Sequence, residues 1–128
     1  MRITAIYAAL LGFLFIFLAV RVIGARRTAR VGLGDGGDAA LMRRMRVHGN
    51  FAEYTPMALV LLALAESLAA PGILLHLTGA MLLAGRAAHA WGVSQPRENF
   101  RFRVAGMIAT FSALGTAAIL CLWRALLA

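Results

Sequence analysis

The sequence predicts an all-α membrane protein, a bundle of four transmembrane helices. Its 128 residues are 62% hydrophobic and 14% charged, whereas average soluble domains are about 25% charged. The apolar residues form four long blocks, each close to the roughly 20 residues that a helical crossing requires. Polar, glycine-containing or proline-containing stretches separate the blocks. The predicted spans are residues 3–23, 51–70, 73–91 and 104–127 of a single domain, residues 1–128.

The first half of the chain predicts one short and one long helix. Residues 3–23 are longer than the apolar region of a typical signal peptide, so we expect a retained span. An arginine-rich and glycine-rich connection follows at residues 24–37. Asp38 can accept hydrogen bonds from the amides of a first helical turn, which predicts a helix over residues 39–69. Pro56 lacks an amide donor and is expected to bend that helix.

The second half predicts two further spans around a polar connection at residues 92–103. Pro71 suits the first turn of the third helix. Small residues recur in the fourth span and permit close contact with another helix; they are Gly106, Ala109, Ala113 and Ala117. Arg124 is expected to extend its guanidinium to the membrane interface.

The arginines predict the orientation of the bundle. All 13 basic residues are arginine, and most lie in the first and second polar connections or beside them. The opposite side holds only Arg2 and Arg124. The positive-inside rule therefore places both basic connections in the cytoplasm and both termini outside. In this setting a net charge of +8 indicates anchoring to anionic lipid headgroups rather than binding to nucleic acid.

Three polar side chains share one face of the second helix. Arg46, Asn50 and Glu53 are spaced by four and then three residues, which aligns them along a helix. Ionisable groups in a membrane helix need a partner or a function. This stripe indicates a site for a polar, charged ligand, and on spacing alone an ion pair between Arg46 and Glu53 is an equal alternative. The sequence contains no metal-ligand cluster, and Cys121 is interpreted as a packing residue.

The same stretch carries a family resemblance. The pattern Arg-x-x-x-Asn-x-x-Glu-Tyr-x-Pro over residues 46–56 resembles the signature of the MAPEG family, the membrane-associated proteins in eicosanoid and glutathione metabolism. Residues 22–31 look like the end of the first helix in the leukotriene-synthase branch. Arg-Ala-Ala-His at residues 86–89 resembles the prostaglandin-E-synthase branch. The similarity covers nearly the whole chain and points to a bacterial-type member.

The resemblance implies a homotrimer in a bacterial inner membrane. Glutathione, as co-substrate, would bind between neighbouring subunits near the cytoplasmic face. A lipophilic small molecule would enter from the bilayer, and membrane lipids would be the other partners. Carried over by position, the glutathione-binding residues would be Arg26, Arg46, His48, Asn50, Glu53, Tyr54, His89 and Arg101.

The resemblance also implies the reactive residues. The family's thiol-activating arginine lies at the start of the fourth helix, so Arg103 is the first candidate and Arg101 the alternate. Arg27, with Arg26 at the edge of the neighbouring subunit, is the second candidate catalytic residue. The chain departs from both characterised branches at Val93, where each has a tyrosine four residues after the position of His89.

The leading hypothesis is a membrane-bound, glutathione-dependent transferase or peroxidase that acts on lipophilic electrophiles or lipid hydroperoxides. The alternative, motivated by Val93, is a non-catalytic lipid-binding or scaffold protein on the same fold. A small transporter ranks third, because an acidic residue would be expected in the first span and residues 3–20 contain none.

Overall fold

The computed structural model describes residues 1–127, and every regular element in them is an α-helix. The helices are α1 (Arg2–Ala29), α2 (Ala39–Ser67), α3 (Gly72–Ser94) and α4 (Phe100–Leu126). By length and composition, α1, α3 and α4 could each cross a membrane. The predicted all-α membrane fold is therefore confirmed. Residues 30–38 join α1 to α2 and residues 95–99 join α3 to α4 at one end of the bundle, called the basic end below.

The two central helices are α2 and α3. Each of them contacts the other, and both contact α1 and α4, whereas α1 and α4 share no contact within the described residues. Apolar side chains from all four helices, including Leu11, Phe51, Leu82 and Ala113, form one buried cluster. This arrangement leaves open crevices between helices, one between α2, α3 and α4 and another between α1 and α3.

Glycines bring α3 and α4 into close contact. A Cβ atom on Gly106 would lie 2.5 Å from the backbone nitrogen of His89 and 2.6 Å from the carbonyl oxygen of Gly85. On Gly92 it would lie 2.7 Å from the backbone nitrogen of Arg103. The small residues of α4 predict such a contact, and the structure confirms it at Gly106. The close approach fixes the height of Arg103 relative to α3.

The end opposite the basic end is held by two charged side chains. The Glu66 carboxylate accepts hydrogen bonds from the backbone nitrogens of Ile3, at 2.9 Å, and Thr4, at 2.8 Å. These amides lie in the first turn of α1, where they have no helical acceptor. Arg124 donates from Nε to the carbonyl oxygen of Leu68 at 2.8 Å. The free ends of α1 and α4 are thus fastened to the turn between α2 and α3.

The connection between α1 and α2 is shorter than predicted. The expected connection at residues 24–37 is wrong at its start, because α1 continues to Ala29. Arginines in its last turn favour the helix C-terminus, where the backbone dipole is negative. Arg30 then ends the helix in the left-handed conformation, with φ of 55°. Asp38 caps α2 as predicted, accepting from the Leu41 nitrogen at 2.8 Å.

The connection between α3 and α4 is also shorter than predicted. The expected connection at residues 92–103 shrinks to residues 95–99, because α3 continues to Ser94 and α4 begins at Phe100. The Asn99 side chain caps α4 by accepting from the Phe102 nitrogen at 3.2 Å. Arg103 therefore projects from the first turn of α4 rather than from a loop. The packing of α4 against α3 then fixes its position.

Candidate functional site

A cavity of about 370 Å³ with several charged side chains in its wall opens at the basic end between α2, α3 and α4. Its volume lies in the range of small-molecule binding sites. The side chains around it come from three helices and the connection between α3 and α4; they are Met42, Arg43, Arg46, Asn50, His89, Val93, Glu98 and Arg103.

The α2 wall of the cavity follows from helical spacing. Arg43, Arg46 and Asn50 are three and four residues apart, so they lie along one face. Glu53 continues this stripe in the sequence but is exposed and does not line the cavity. It lies about 10 Å beyond Arg46 along the helix axis, at 1.5 Å per residue.

Arg86 lies next to Asn50 and is 1% exposed. Its Nη1 donates to Oδ1 of Asn50 at 2.7 Å, and its Nε donates to Oγ1 of Thr110 at 2.9 Å. Among residues 1–127, no carboxylate lies within 4 Å of this guanidinium. The buried cation is therefore held by neutral oxygens of α2 and α4. Because the Asn50 oxygen is engaged, its NH₂ group is the part available to donate to a ligand.

Cations outnumber acids around the cavity. The side chains of Arg43 and Arg46 make no hydrogen bond or ion pair with any other described residue. Arg103 donates from Nη1 to Oε1 of Glu98 at 2.6 Å, in a pair whose side chains are 47% and 35% exposed. Three guanidiniums thus face one carboxylate. Such a cavity attracts anions, and a guanidinium fork fits a carboxylate with two hydrogen bonds.

The α3 wall combines an imidazole with an apolar side chain. His89 is 5% exposed and Val93 is 7% exposed, and both line the cavity. Val93 occupies the position that carries a tyrosine in the two MAPEG branches to which the sequence was compared above. No hydroxyl group therefore extends from this position.

Four of the ten predicted site residues meet at this cavity, namely Arg46, Asn50, His89 and Arg103. The other six do not line it; they are Arg26, Arg27, His48, Glu53, Tyr54 and Arg101. Glu53, Arg27 and Arg101 are exposed. The structure thus gathers part of the predicted set around one cavity of the chain and leaves the rest outside it.

Three of these six side chains contact other parts of the chain. His48 stacks on Phe15, with ring centroids 4.7 Å apart, and Tyr54 meets Phe111 edge-on at 5.3 Å. Arg26 donates to the carbonyl oxygen of Gly34 at 2.8 Å. Arg26 therefore organises the connection between α1 and α2, a role that its place in the sequence did not indicate.

Three contributors to the cavity and its surroundings are not among the predicted site residues. Arg43 lies one turn before Arg46 and shares its face, a spacing signal that was available. Arg86 is an ionisable residue inside an apolar span, which by itself indicates a function or a partner. Glu98 had no such signal, because its pairing with Arg103 depends on how the short connection folds.

The fold and the cavity define the class: an all-α membrane protein with a cation-rich cavity at one end of its helix bundle. The sequence profile of the MAPEG family matches residues 4–123. The chain belongs to the MAPEG family.

Two curated relatives are similar along almost the full chain. Inner membrane protein YecN of Escherichia coli strain K12 is 38% identical over 121 residues, which cover 94% of this chain and 91% of that protein. The YecN protein of Escherichia coli O6:H1 strain CFT073 matches with the same identity and coverage.

Proposed function

We propose that this protein is a glutathione-dependent transferase or peroxidase of the bacterial inner membrane, acting on lipophilic electrophiles or lipid hydroperoxides. The observation that carries the proposal is the cavity in which three arginines, a carboxamide and an imidazole converge. Membership of the MAPEG family and similarity to an inner membrane protein support it. The distribution of arginines predicts that the basic end would face the cytoplasm, and the family resemblance implies that three protomers would associate.

The groups around the cavity match the groups of glutathione. That tripeptide carries two carboxylates, an ammonium and a thiol. Arg43 and Arg46 have no protein partner among the described residues and are available for the carboxylates. The Asn50 amide can donate to a peptide carbonyl. Glu53 is exposed on the protomer, so in a trimer it is available to the ammonium of a ligand held between subunits.

Arg103 is the proposed thiol-activating residue. The thiolate is the reactive form of a thiol. Lowering a thiol pKa from about 8.5 to about 6.5 takes roughly 2.7 kcal/mol, which a partly desolvated guanidinium nearby can supply. In the transferase reaction the sulfur forms a bond to the electrophilic carbon, the leaving group departs with its electron pair, and the thiol proton passes to water.

Glutathione binding tests the proposal directly. Protein in lipid nanodiscs is titrated with glutathione by calorimetry, and turnover is followed with a chromogenic aryl halide. Arg46→Gln removes a cavity guanidinium and should raise Kd about tenfold, as expected for the loss of a charge-assisted hydrogen bond. Arg97→Gln is the matched control, since Arg97 is exposed and does not line the cavity. No glutathione binding by the wild type would overturn the proposal.

The second candidate function is a non-catalytic lipid-binding or scaffold protein, which the apolar side chain of Val93 favours. Arg103→Gln distinguishes the two candidates. If the protein is an enzyme, this variant should lose most of kcat while its glutathione Kd rises only a few fold, because Arg43 and Arg46 remain. A wild-type protein that retains lipid and shows no turnover would favour the scaffold.

A further inference from the structure

A second crevice, of about 330 Å³, runs between α1 and α3. Its walls are mainly apolar, and polar groups collect at the part nearer the basic end. The apolar part includes Leu14, Phe17 and Ala87, and the polar part includes Arg21, Trp91 and Gln95. None of these residues lines the cavity described above.

Arg21 is the unusual residue of this crevice. It lies inside the apolar block of residues 3–23, and its Nη1 donates to Oγ of Ser94 at 2.9 Å. A guanidinium carries five N–H donors, so four of them find no acceptor in the described part of the chain. No carboxylate there lies within 4 Å of it either. A cation on a membrane helix with donors left over favours an anionic partner.

The surroundings of Arg21 add positive charge and indicate depth. Arg44 donates from Nη1 to the backbone oxygen of Arg21 at 3.3 Å, which brings a second guanidinium close. The Arg21 Cζ lies 5.7 Å from the centre of the Phe17 ring, which restrains the guanidinium. Trp91 is 51% exposed, as is usual for tryptophan at the level of lipid headgroups.

We propose that the crevice between α1 and α3 binds an anionic phospholipid. The phosphate accepts two hydrogen bonds from the Arg21 guanidinium, in the fork geometry that suits phosphate oxygens. One acyl chain lies along Leu14, Phe17 and Ala87. A free phosphate ion would not fill this apolar part of the crevice. The lipid supplies acceptors for two of the four remaining donors of Arg21 and joins α1 to α3. This site is separate from the cavity proposed for glutathione and involves no thiol.

Native mass spectrometry with defined lipids tests the site. Purified protein is mixed with phosphatidylglycerol or with phosphatidylcholine of the same acyl chains, and bound lipid is counted per protomer. Both lipids carry a phosphate, but the choline cation of phosphatidylcholine would lie near the Arg21 and Arg44 guanidiniums. The wild type should therefore retain phosphatidylglycerol about tenfold more strongly, the scale of one like-charge repulsion of about 1.4 kcal/mol. Arg21→Gln should abolish this preference. Glycerol phosphate, which has the headgroup without the chains, should neither compete nor raise Tm.

Two variants separate a lipid site from a structural contact. Ser94→Ala removes the partner of Arg21 on α3 but keeps the charge, so it should keep the preference for phosphatidylglycerol. Arg30→Asn removes an exposed arginine from the end of the same helix, and asparagine tolerates its left-handed conformation. It should also keep the preference.

Three results would overturn the proposal. The wild type could retain both lipids equally, or Arg21→Gln could retain phosphatidylglycerol like the wild type. Alternatively, the wild type could bind no lipid and Arg21→Gln could change the oligomeric state. These two results together would assign the crevice to a second copy of the chain. Thermal unfolding of each variant in detergent verifies that the lipid readout comes from folded protein.

Discussion

Removing the negative charge of Glu98 should tighten the binding of an anionic ligand. Of the described residues that line the cavity, Glu98 alone carries a carboxylate. Its Oε1 lies 2.6 Å from Nη1 of Arg103. Any ligand carboxylate or thiolate that approaches Arg103 must share this guanidinium with Glu98. Glu98→Gln keeps the size of the side chain and removes the repulsion, so the expected change is opposite in sign to that of Arg46→Gln.

The size of the effect follows from distance and exposure. Two anions that share one guanidinium lie about 5 Å apart. The Glu98 and Arg103 side chains are 35% and 47% exposed, so screening is strong and an effective dielectric constant of about 60 is appropriate. Their repulsion is then about 1 kcal/mol, which corresponds to a Kd about fivefold lower in Glu98→Gln. The gain should shrink as salt concentration rises.

Calorimetric titration of glutathione into nanodiscs at two salt concentrations measures this change. Asp35→Asn is the matched control, because it makes the same change in net charge at the basic end but lies outside the cavity. It should leave Kd unchanged within twofold. An unchanged or higher Kd in Glu98→Gln, or equal tightening in both variants, would refute the assignment of this cavity to an anionic ligand.

Three further substitutions test the fold and the supports of the site. Gly106→Leu should lower Tm in detergent, since overpacking costs about 1–3 kcal/mol. The control Gly115→Leu should leave Tm unchanged, because a Cβ at Gly115 meets nothing within 4 Å. Equal Tm values for the two variants would contradict the close contact of α3 with α4. Glu66→Gln weakens the cap of α1 and should cost about 1 kcal/mol, measured by thermal unfolding; an unchanged Tm would count against that cap. Arg86→Lys keeps the positive charge, but a lysine cannot donate to both Asn50 and Thr110. The glutathione Kd of the folded variant should therefore rise severalfold. An unchanged Kd would contradict the supporting role of Arg86.

The positions of the helices were largely predictable, whereas their ends were not. Hydropathy marks where a chain leaves the apolar phase, but a helix ends where its backbone hydrogen bonds stop. At the end of α1 the residues after position 23 include good helix formers, so the helix continues to Ala29. Caps decide such ends, and Asp38 was recognised because its side chain is a common N-cap.

The choice between Arg101 and Arg103 shows what spacing cannot decide. The two residues are two positions apart, so their side chains point about 200° apart around a helix. Only the rotation of α4 against α3 determines which of them faces the cavity. The close contact at Gly92 and Gly106 sets this rotation, and it brings Arg103 to the cavity while Arg101 remains exposed.

The sequence by itself determined the class of protein, the number of helices, the family resemblance and the polar face of α2. Each of these depends on composition or on residues close together in the chain, where hydropathy and the 3.6-residue period act directly. Only the tertiary structure decided that Arg86 holds Asn50, that Glu98 pairs with Arg103 and that Arg21 reaches Ser94 with donors left over. Two of these contacts join different helices and the third closes a short connection. They depend on how the helices rotate and how closely they approach, which local periodicity does not specify.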